Sequence, residues 1–461
     1  MLLALRQGRF HPSPSICFIA AAPKAREIHA AAFADRVVHH LLVPKLEALF
    51  EPLFIHDLYS NRKDKGTHRA VSRLQQFMRR YADMGGGWFL KLDIANFFNS
   101  INRRILYQLL DKRLVKLPDG NPKKQLRWLT RLFLTGNPAL SAHHQEPVAN
   151  FQRLPAHKRL INAAPECGLP IGNLTSQFFA NVYLNQLDQH VKYDLKCRHY
   201  LRYVDDLILL ADNPQQLLVW REQIVDFLQR QLHLTLKMIA EPRPIQDGAD
   251  FLGYIVRPHY RLVRRRVVAS LSQSLRRRWL QHLAGDGVLR FNETSLNQLR
   301  AVLASYLGHF SHAQSHRVLA KIWQKFPFLA QLFDLQDRGL QPRWRPKCVT
   351  SLVSQWRYFQ CRWPEALVML QVGKRWLITE PHLQLARSLA GPCLTYRVRL
   401  GLGECLELTA TQRQRLQSRL IQYRKLWIEV CEAGYLRTGF KRRTLTAIYN
   451  PNISMTHSSG S

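Results

Sequence analysis

Two adjacent aspartates, Asp205 and Asp206, stand between two short apolar runs, and this pair most limits what the chain can fold into. The flanking residues are apolar enough for buried strands, so the segment 200–210 predicts two strands hinged at the acidic pair. Like charges side by side repel each other, and a fold tolerates them most easily when a divalent cation lies between them. Aspartate is also a favoured turn residue, so an ordinary hairpin turn stays open as the alternative.

A third carboxylate, Asp93, ends another apolar run. The segment Gly87-Trp-Phe-Leu-Lys-Leu-Asp93 predicts a buried strand that finishes on its acidic residue. We interpret Asp93, Asp205 and Asp206 as one catalytic and metal-binding set. Such carboxylates can hold two Mg²⁺ ions that activate a 3′-hydroxyl and stabilise a leaving pyrophosphate, while the protein mainly positions the reactants.

The charge of the chain predicts a polyanionic partner. Lys and Arg number 67 and Asp and Glu 32, so the formal net charge is 67 − 32 = +35 over 461 residues. Hydrophobic residues make up 46%, which excludes a disordered basic tail. No apolar run is long enough for a transmembrane span or a signal peptide, and the eight cysteines contain no C-x-x-C pair. We therefore expect a cytoplasmic, nucleic-acid-handling protein with reduced thiols and neither a disulfide nor a zinc framework.

Helical spacing marks three segments. Residues 35–44 predict a short helix that is capped by Asp35 and closed near Pro44, and residues 215–232 predict an amphipathic helix. Residues 257–290 carry nine arginines and one acid, a surplus of 9 − 1 = +8. Their apolar side is predicted to consist of Leu271, Leu275, Trp279 and Leu283, which leaves the arginines on the other faces.

The C-terminal part, residues 336–455, has no catalytic signature. It predicts strands at 366–372 and 444–448, a short helix at 381–389 and a long helix at 411–431. Nucleic-acid binding through Lys374, Arg375 and Trp376 and a packing or oligomerisation role are both open. Residues 456–461 look like a flexible tail.

Further blocks accompany the carboxylates in a fixed order along the chain. They are Pro23-Lys-Ala-Arg-Glu-Ile28, Asp35-Arg-Val-Val-His-His40, the segment 59–68, Asp93-Ile-Ala-Asn-Phe-Phe98, the segment 168–177, the helical segment 178–188, Leu234-Thr-Leu-Lys237 and Phe251-Leu-Gly-Tyr254. As a set they resemble the fingers and palm motifs of reverse transcriptases. The variant Ile171-Gly172 followed by Ser176-Gln177 looks like the enzymes of diversity-generating retroelements, which are similar to this chain from about residue 3 to residue 335.

The resemblance implies roles for further residues. Ile94 is expected to add its backbone carbonyl to the metal ligands. The implied nucleotide-binding residues are Arg62, Lys63, Lys65, Phe98, Ile171, Gly172 and Lys237. Phe98 would exclude a 2′-hydroxyl, and the alternative is that it is an ordinary core phenylalanine. For the basic residues, the alternative is that they lie in a solvated loop or at a solvated strand end and bind no nucleotide. The implied primer and template contacts are Lys24, Arg26, Tyr203, Gly253, Arg264, Arg265, Arg276 and Arg277.

The fold class implied is α/β (α+β), a right-hand polymerase with fingers, a palm built on an antiparallel sheet and a helical thumb. The expected domains are 1–258 for fingers and palm, 259–335 for the thumb, 336–455 for a small C-terminal α/β extension and 456–461 for the tail. The segment 363–374 is weakly similar to the N-terminal domain of MutS-type mismatch repair proteins, without that family's Phe-x-Glu probe.

The resemblance implies an RNA-directed DNA polymerase that uses dNTPs and two Mg²⁺ ions, with Mn²⁺ as a substitute, and that is error-prone at template adenines. Expected partners are an RNA template, the RNA–DNA hybrid, a small accessory protein or non-coding RNA, and a second copy of the chain. The alternatives are an antiphage defence reverse transcriptase with a dedicated non-coding RNA and an inactive nucleic-acid-binding protein with a polymerase fold.

Overall fold

The computed structural model describes residues 1–461 except 21–24, 153, 239, 284–285, 337–338, 347–348, 350, 392–393, 436–438 and 453–461. The chain divides into two compact units, Met1–Arg261 and Leu262–Ser461. Both units mix helices and strands, which confirms the predicted α+β class. The predicted tail at 456–461 lies outside the described residues. Within the described ranges, no helix is long and apolar enough to cross a membrane.

The helices and strands of the first unit follow one another closely. They are α1 (Leu2–Arg6), β1 (Ile16–Ala20), β2 (Arg26–Ala30), α2 (Phe33–Phe50), α3 (Thr67–Asp83), β3 (Trp88–Asp93), α4 (Phe97–Ser100), α5 (Arg103–Leu114), α6 (Asn121–Thr135), β4 (His143–His144), α7 (Val148–Gln152), α8 (Leu174–Gln189), β5 (His199–Tyr203), β6 (Asp206–Ala211), α9 (Pro214–Leu232), β7 (Arg243–Pro244), β8 (Ala249–Phe251) and β9 (Tyr254–Val256), with β10 (Arg261–Val263) at its end.

An antiparallel sheet of four strands, in the order β5-β6-β3-β7, organises this unit. The predicted strand ending at Asp93 is β3, and the predicted pair of strands over 200–210 is β5 and β6. Leu90, Leu92 and three residues of β6 (Leu207, Leu209 and Ala211) are buried in one core with α8 and α9, and Ile208 and Leu210 of β6 are buried outside that cluster. Apolar side chains on both faces explain why these strands read as continuous apolar runs rather than as alternating ones.

Helix α2 departs from its prediction. It begins at Phe33, with Ala32 as N-cap, and runs through Pro44 to Phe50. The predicted cap at Asp35 is wrong, because Asp35 lies in the first turn and its Oδ2 accepts the Ser13 N–H at 2.8 Å. The predicted end near Pro44 is also wrong. An internal proline costs ~3 kcal/mol, and burial of the continuing apolar stripe offsets this; the stripe is Val38, Leu42, Leu46 and Phe50.

The second unit consists of α10 (Arg265–His282), β11 (Leu289–Arg290), α11 (Glu293–Phe310), α12 (His316–Lys325), α13 (Phe328–Leu332), β12 (Phe333–Gln336), β13 (Gly339–Pro342), α14 (Leu352–Arg362), β14 (Leu367–Val372), β15 (Arg375–Ile378), α15 (Leu383–Ala390), β16 (Thr395–Arg399), β17 (Gly403–Leu408), α16 (Ala410–Gln422), β18 (Trp427–Tyr435) and β19 (Lys441–Tyr449). Its main sheet has the order β11-β19-β18-β14-β15-β17-β16.

A hydrophobic core joins helix α10 to the main sheet of the second unit. Leu275 and Trp279 of α10 belong to the same buried cluster as Ile428 and Leu445 of the sheet. Strand β11 pairs with β19 in that sheet. The expected boundary at 335/336 therefore lies inside one compact unit and inside the β12–β13 hairpin. The division into thumb and C-terminal extension stays a prediction about function.

One expectation for the C-terminal part is wrong. The long helix predicted over 411–431 ends at Gln422, and Leu426 and Val430 belong to the approach to β18 and to β18 itself. The spacing of the apolar residues is compatible with a helix and with a strand. This segment forms a strand because β18 pairs with β14 and β19. Trp376, one of the three residues considered for nucleic-acid binding, is buried in the sheet with the Arg413 guanidinium 4.4 Å from its ring, so binding through Lys374 and Arg375 is what stays open.

Candidate active site

The three predicted carboxylates meet at one end of the four-stranded sheet. Val204 and Asp205 form the two-residue turn between β5 and β6, and Tyr203 pairs with Asp206 across it. Asp93, the last residue of β3, lies directly opposite Asp206 in the antiparallel register. Side chains of directly opposed residues lie on the same face of a sheet, so Asp93 and Asp206 face each other beside the turn that carries Asp205.

The electrostatics of this corner fit a divalent cation. Burial, together with the charges of Asp206 and Asp93, raises the pKa of Asp205 to about 6, although a backbone hydrogen bond and Arg26 oppose the rise. Two lysines compensate the other carboxylates: Lys91 Nζ lies 3.0 Å from Asp206 Oδ1, and Lys237 Nζ lies 3.4 Å from Asp93 Oδ2. An all-oxygen donor set with excess negative charge is what hard divalent cations bind. Lys91 was not predicted from the sequence.

The backbone at Ile94 suits its predicted role as a ligand. The Ala95 N–H donates to the Thr235 carbonyl and the Lys237 N–H to the Asp93 carbonyl, both at 2.8 Å. Ile94 and Leu236 are thus an antiparallel pair whose own polar groups point away from each other. The Ile94 carbonyl consequently faces the side of β3 on which β6 and Asp205 lie. Its metal contact stays a prediction.

A buried polar network holds the turn. Val204 has a left-handed φ of +56°, which is unfavourable for a β-branched residue. Its N–H donates to Ser60 Oγ at 2.9 Å, and its carbonyl accepts from Arg202 Nη1 at 3.0 Å. Arg202 is fully buried and pairs with the buried Asp188 at 2.6 Å. Sequence reasoning missed this network, although a charged Arg202 inside an otherwise apolar strand was a visible signal.

The segment before α3 is hydrogen-bonded to β5, the strand that carries Arg202. The Tyr59 N–H donates to the Arg202 carbonyl, and the Arg202 N–H donates to the Asp57 carbonyl, each at 3.0 Å. The Tyr203 hydroxyl lies 3.1 Å from Thr67 Oγ1, at the start of α3. The predicted fingers loop is therefore fixed to the strand that carries Tyr203.

The three basic residues of that loop differ in their contacts. Arg62 is committed to the fold, because its guanidinium donates to Glu51 at 2.6 Å and to the carbonyls of Ile55 and Leu58. These bonds argue against the expected triphosphate contact of Arg62. Lys65 Nζ donates to the His56 carbonyl at 2.9 Å, whereas the Lys63 side chain is exposed. Lys63 and Lys65 remain the candidates for phosphate binding.

The loop at 168–173 joins the predicted nucleotide contacts to β2. The Leu169 N–H donates to the Phe98 carbonyl at 2.8 Å, and the His29 N–H of β2 donates to the Ile171 carbonyl at 2.8 Å. Phe98 and Ile171 are both half-buried. Gly172 has a φ of +121°, and a Cβ there would lie 2.9 Å from Ile28 Cγ2. The loop thus binds the Phe98 backbone on one side and β2 on the other, and the nucleotide contacts of Phe98, Ile171 and Gly172 stay predictions.

Comparison with known proteins identifies the family. The profile of the family "Reverse transcriptase (RNA-dependent DNA polymerase)" matches residues 20–256, about half of the chain. The chain belongs to the reverse transcriptase family. Membership makes it an RNA-directed DNA polymerase, a nucleotidyltransferase, and the match spans all three carboxylates.

Two relatives share this reverse transcriptase region. The chain is 24% identical to Protein YkfC of Escherichia coli K12 over 315 residues, which cover 60% of this chain and 76% of that protein. It is also 24% identical over 195 residues to the group II intron-encoded protein LtrA of Lactococcus lactis, covering 41% of this chain and 27% of LtrA.

Solved structures with similar features include telomerases. Apo telomerase of Candida tropicalis aligns with a TM-score of 0.40 and 11% identity over 54% of this chain and 55% of that chain. Telomerase of the same yeast with a fragment of telomeric RNA aligns with a TM-score of 0.39 and 12% identity over 69% and 57% of the two chains. The assignment of a polymerase fold rests on the four-stranded antiparallel sheet and the family match, and not on these structural alignments.

Gly172 lies where the backbone conformation and the contact with β2 leave no room for a larger residue. We expect Gly172→Ala to lower the free energy of unfolding by about 1–3 kcal/mol. The new Cβ would lie 2.9 Å from Ile28 Cγ2, and alanine would be strained at the φ of +121° that glycine adopts here. Displacement of β2 should also raise the KM for dNTP about tenfold. The control is Gly85→Ala, since Gly85 also has a positive φ but nothing within 4 Å of its Cβ position. Equal losses in the two variants would contradict a specific contact with β2.

The predicted primer and template residues of the first unit lie in different environments. Lys24 is outside the described residues. Arg26 begins β2 and is exposed, and its charge acts on Asp205. Gly253 lies in the two-residue turn between β8 and β9, where Leu252 and Gly253 both have positive φ, as type I′ hairpins require. Lys91 Nζ also donates to the Asp250 carbonyl of that hairpin at 3.1 Å, which ties the hairpin to the carboxylate corner.

The four predicted arginines of the second unit lie at and within α10. Arg264 is its N-cap, and Arg265, Arg276 and Arg277 follow in the helix; all four are exposed. Leu271, Leu275 and Trp279 are buried on the other side, and Leu283 packs partly against them, as predicted. An exposed basic surface of this kind attracts the phosphates of a nucleic-acid backbone. Its role in binding stays a prediction.

Proposed function

We propose that this chain extends the 3′-hydroxyl of a primer with dNTPs on an RNA template, with two Mg²⁺ ions bound by Asp93, Asp205, Asp206 and the Ile94 carbonyl. The observation that carries the proposal is the convergence of three carboxylates at one sheet corner, inside the region that matches the family. The bound cations would supply activation of the hydroxyl and stabilisation of the leaving pyrophosphate.

The chain's own residues then position the reactants. Lys237, whose Nζ lies beside Asp93, would give a proton to the leaving pyrophosphate, and Lys63 and Lys65 would supply positive charge for the triphosphate. Phe98 presents a half-buried ring next to the loop of Ile171, where it would oppose a 2′-hydroxyl. The exposed arginines of α10 would hold an RNA–DNA hybrid by its shape and charge.

The experiment is primer extension by the purified full chain on an RNA template with an annealed DNA primer. We expect extension with dNTPs and Mg²⁺, none with chelator, and recovery when Mg²⁺ is restored. Replacing dNTPs by ribonucleotides should give little product. Tight binding of the template-primer without extension in Mg²⁺ or Mn²⁺ would favour the inactive binding protein instead.

We further propose that copying is error-prone, as in diversity-generating retroelements. Most group II intron and retroviral reverse transcriptases have a Gln-Gly step where this chain has Ile171-Gly172. A branched apolar Ile171 cannot make the hydrogen bond that glutamine makes there, so base selection beside it would be looser. We expect Ile171→Gln to reduce misincorporation opposite template adenine about tenfold, measured by sequencing cDNA made from a defined template. Unchanged error rates at adenine, with extension intact, would remove Ile171 as the cause.

The biological setting proposed is a mutagenic retroelement with a small accessory protein. The antiphage alternative predicts a dedicated non-coding RNA bound to the purified chain. Sequencing the nucleic acid that co-purifies with the full chain separates them: a template repeat matching a variable gene supports the retroelement, and one recurrent structured RNA supports the defence role.

A further inference from the structure

Three potential metal ligands converge in the β1–β2 hairpin, away from the three catalytic carboxylates in sequence. Cys17 of β1 pairs directly with His29 of β2, and Glu27 lies two residues before His29 on the same face. The three ligand atoms lie within 4.8 Å of one another. All three residues are buried, with exposed fractions of 0% for Cys17, 5% for Glu27 and 1% for His29.

The separations between the three ligand atoms are close to those of a zinc coordination shell. Cys17 Sγ lies 3.7 Å from Glu27 Oε1 and 3.9 Å from His29 Nε2, and Glu27 Oε1 lies 3.7 Å from His29 Nε2. Donors about 2.0–2.3 Å from a tetrahedral zinc lie roughly 3.3–3.8 Å apart. The 3.7 Å between Glu27 Oε1 and His29 Nε2 is too long for a direct hydrogen bond.

The other polar atoms of His29 and Glu27 have hydrogen-bond partners of their own. His29 Nδ1, the ring nitrogen that faces away from Cys17, lies 3.3 Å from Ser15 Oγ. The second oxygen of Glu27, Oε2, accepts the Leu160 N–H at 2.5 Å. Partners of this kind orient metal-binding imidazoles and carboxylates. A thiolate, a carboxylate and a neutral imidazole together balance a divalent charge.

We propose that Cys17, Glu27 and His29 bind one Zn²⁺ ion, with water in the fourth position. Sulfur, nitrogen and oxygen ligands in one set suit zinc rather than the hard cations of the carboxylate corner. The ion has a structural role. It joins β1 to β2, and the His29 N–H holds the Ile171 carbonyl, so the zinc fixes the hairpin against the loop beside the nucleotide site.

The test measures metal in the full chain, purified without a histidine tag. We expect about one zinc per chain by elemental analysis, and a thiolate-to-cobalt charge-transfer band when the apo chain takes up Co²⁺. Cys17→Ser should remove the band and lower zinc content at least about tenfold. Cys197→Ser is the matched control, because Cys197 is equally buried in the same unit but belongs to no metal-ligand cluster among the described residues.

A second variant guards against misfolding. His29→Gln should weaken zinc binding while the cysteine remains, with circular dichroism confirming that the chain is folded. The proposal is overturned if the wild-type chain takes up neither Zn²⁺ nor Co²⁺, or if Cys17→Ser and His29→Gln hold as much metal as the wild type. Primer extension is measured separately, since a wild-type chain that extends a primer but takes up neither Zn²⁺ nor Co²⁺ would refute the zinc site and leave the proposed function intact.

Discussion

Asp205→Asn is expected to lower the kcat of primer extension roughly 10³-fold or more. Asparagine has the size of aspartate and occupies turns equally well, so Val204 and Asp206 keep their places. What is lost is one negative charge at the corner where Asp93 and Asp206 supply the others. Single-turnover extension with saturating dNTP measures the loss directly, because product release does not enter.

The same variant should be at least as stable as the wild type. Burial and neighbouring carboxylates raise the pKa of Asp205, so its charged form is disfavoured in the metal-free folded chain, and a neutral side chain removes that penalty. Asp212→Asn is the control, since Asp212 is an exposed carboxylate just beyond the far end of β6. Retention of more than about a tenth of the wild-type rate by Asp205→Asn would contradict a direct catalytic role.

The parts of the site that sequence could predict are those coded locally. An apolar run that ends in a carboxylate specifies a buried strand with an acidic end, so β3, β5 and β6 were predictable together with Asp93, Asp205 and Asp206. The exposed arginines and buried Leu271, Leu275 and Trp279 of α10 follow from helical spacing in the same way.

The parts that failed depend on partners distant in the chain. Pro44 reads as a helix end, but the apolar stripe of α2 continues past it into the core. Residues 427–431 fit a helix by spacing, and only strands β14 and β19 make them a strand. The cluster of Cys17, Glu27 and His29 depends on the register of β1 with β2, which no local pattern specifies.

Arg202→Met should have the largest effect on stability, lowering the free energy of unfolding by about 3–5 kcal/mol. Arg202 and Asp188 are both fully buried, and removing the cation leaves the Asp188 carboxylate charged and unpaired in the core. The variant also loses the bond from Arg202 Nη1 to the Val204 carbonyl, which helps to hold the left-handed turn before Asp205. Urea unfolding measures the first effect and single-turnover extension the second.

A double variant separates the two effects. Adding Asp188→Asn to Arg202→Met removes the stranded charge while keeping an acceptor for the Tyr200 hydroxyl, which donates to Asp188 at 2.8 Å. Most of the stability should return, whereas kcat should stay reduced about tenfold or more, because the Val204 carbonyl still lacks its donor. Arg230→Met is the control, since the exposed pair of Arg230 and Asp226 is worth at most ~1 kcal/mol. If the double variant regained full kcat along with its stability, Arg202 would act on folding alone and would not position the catalytic turn.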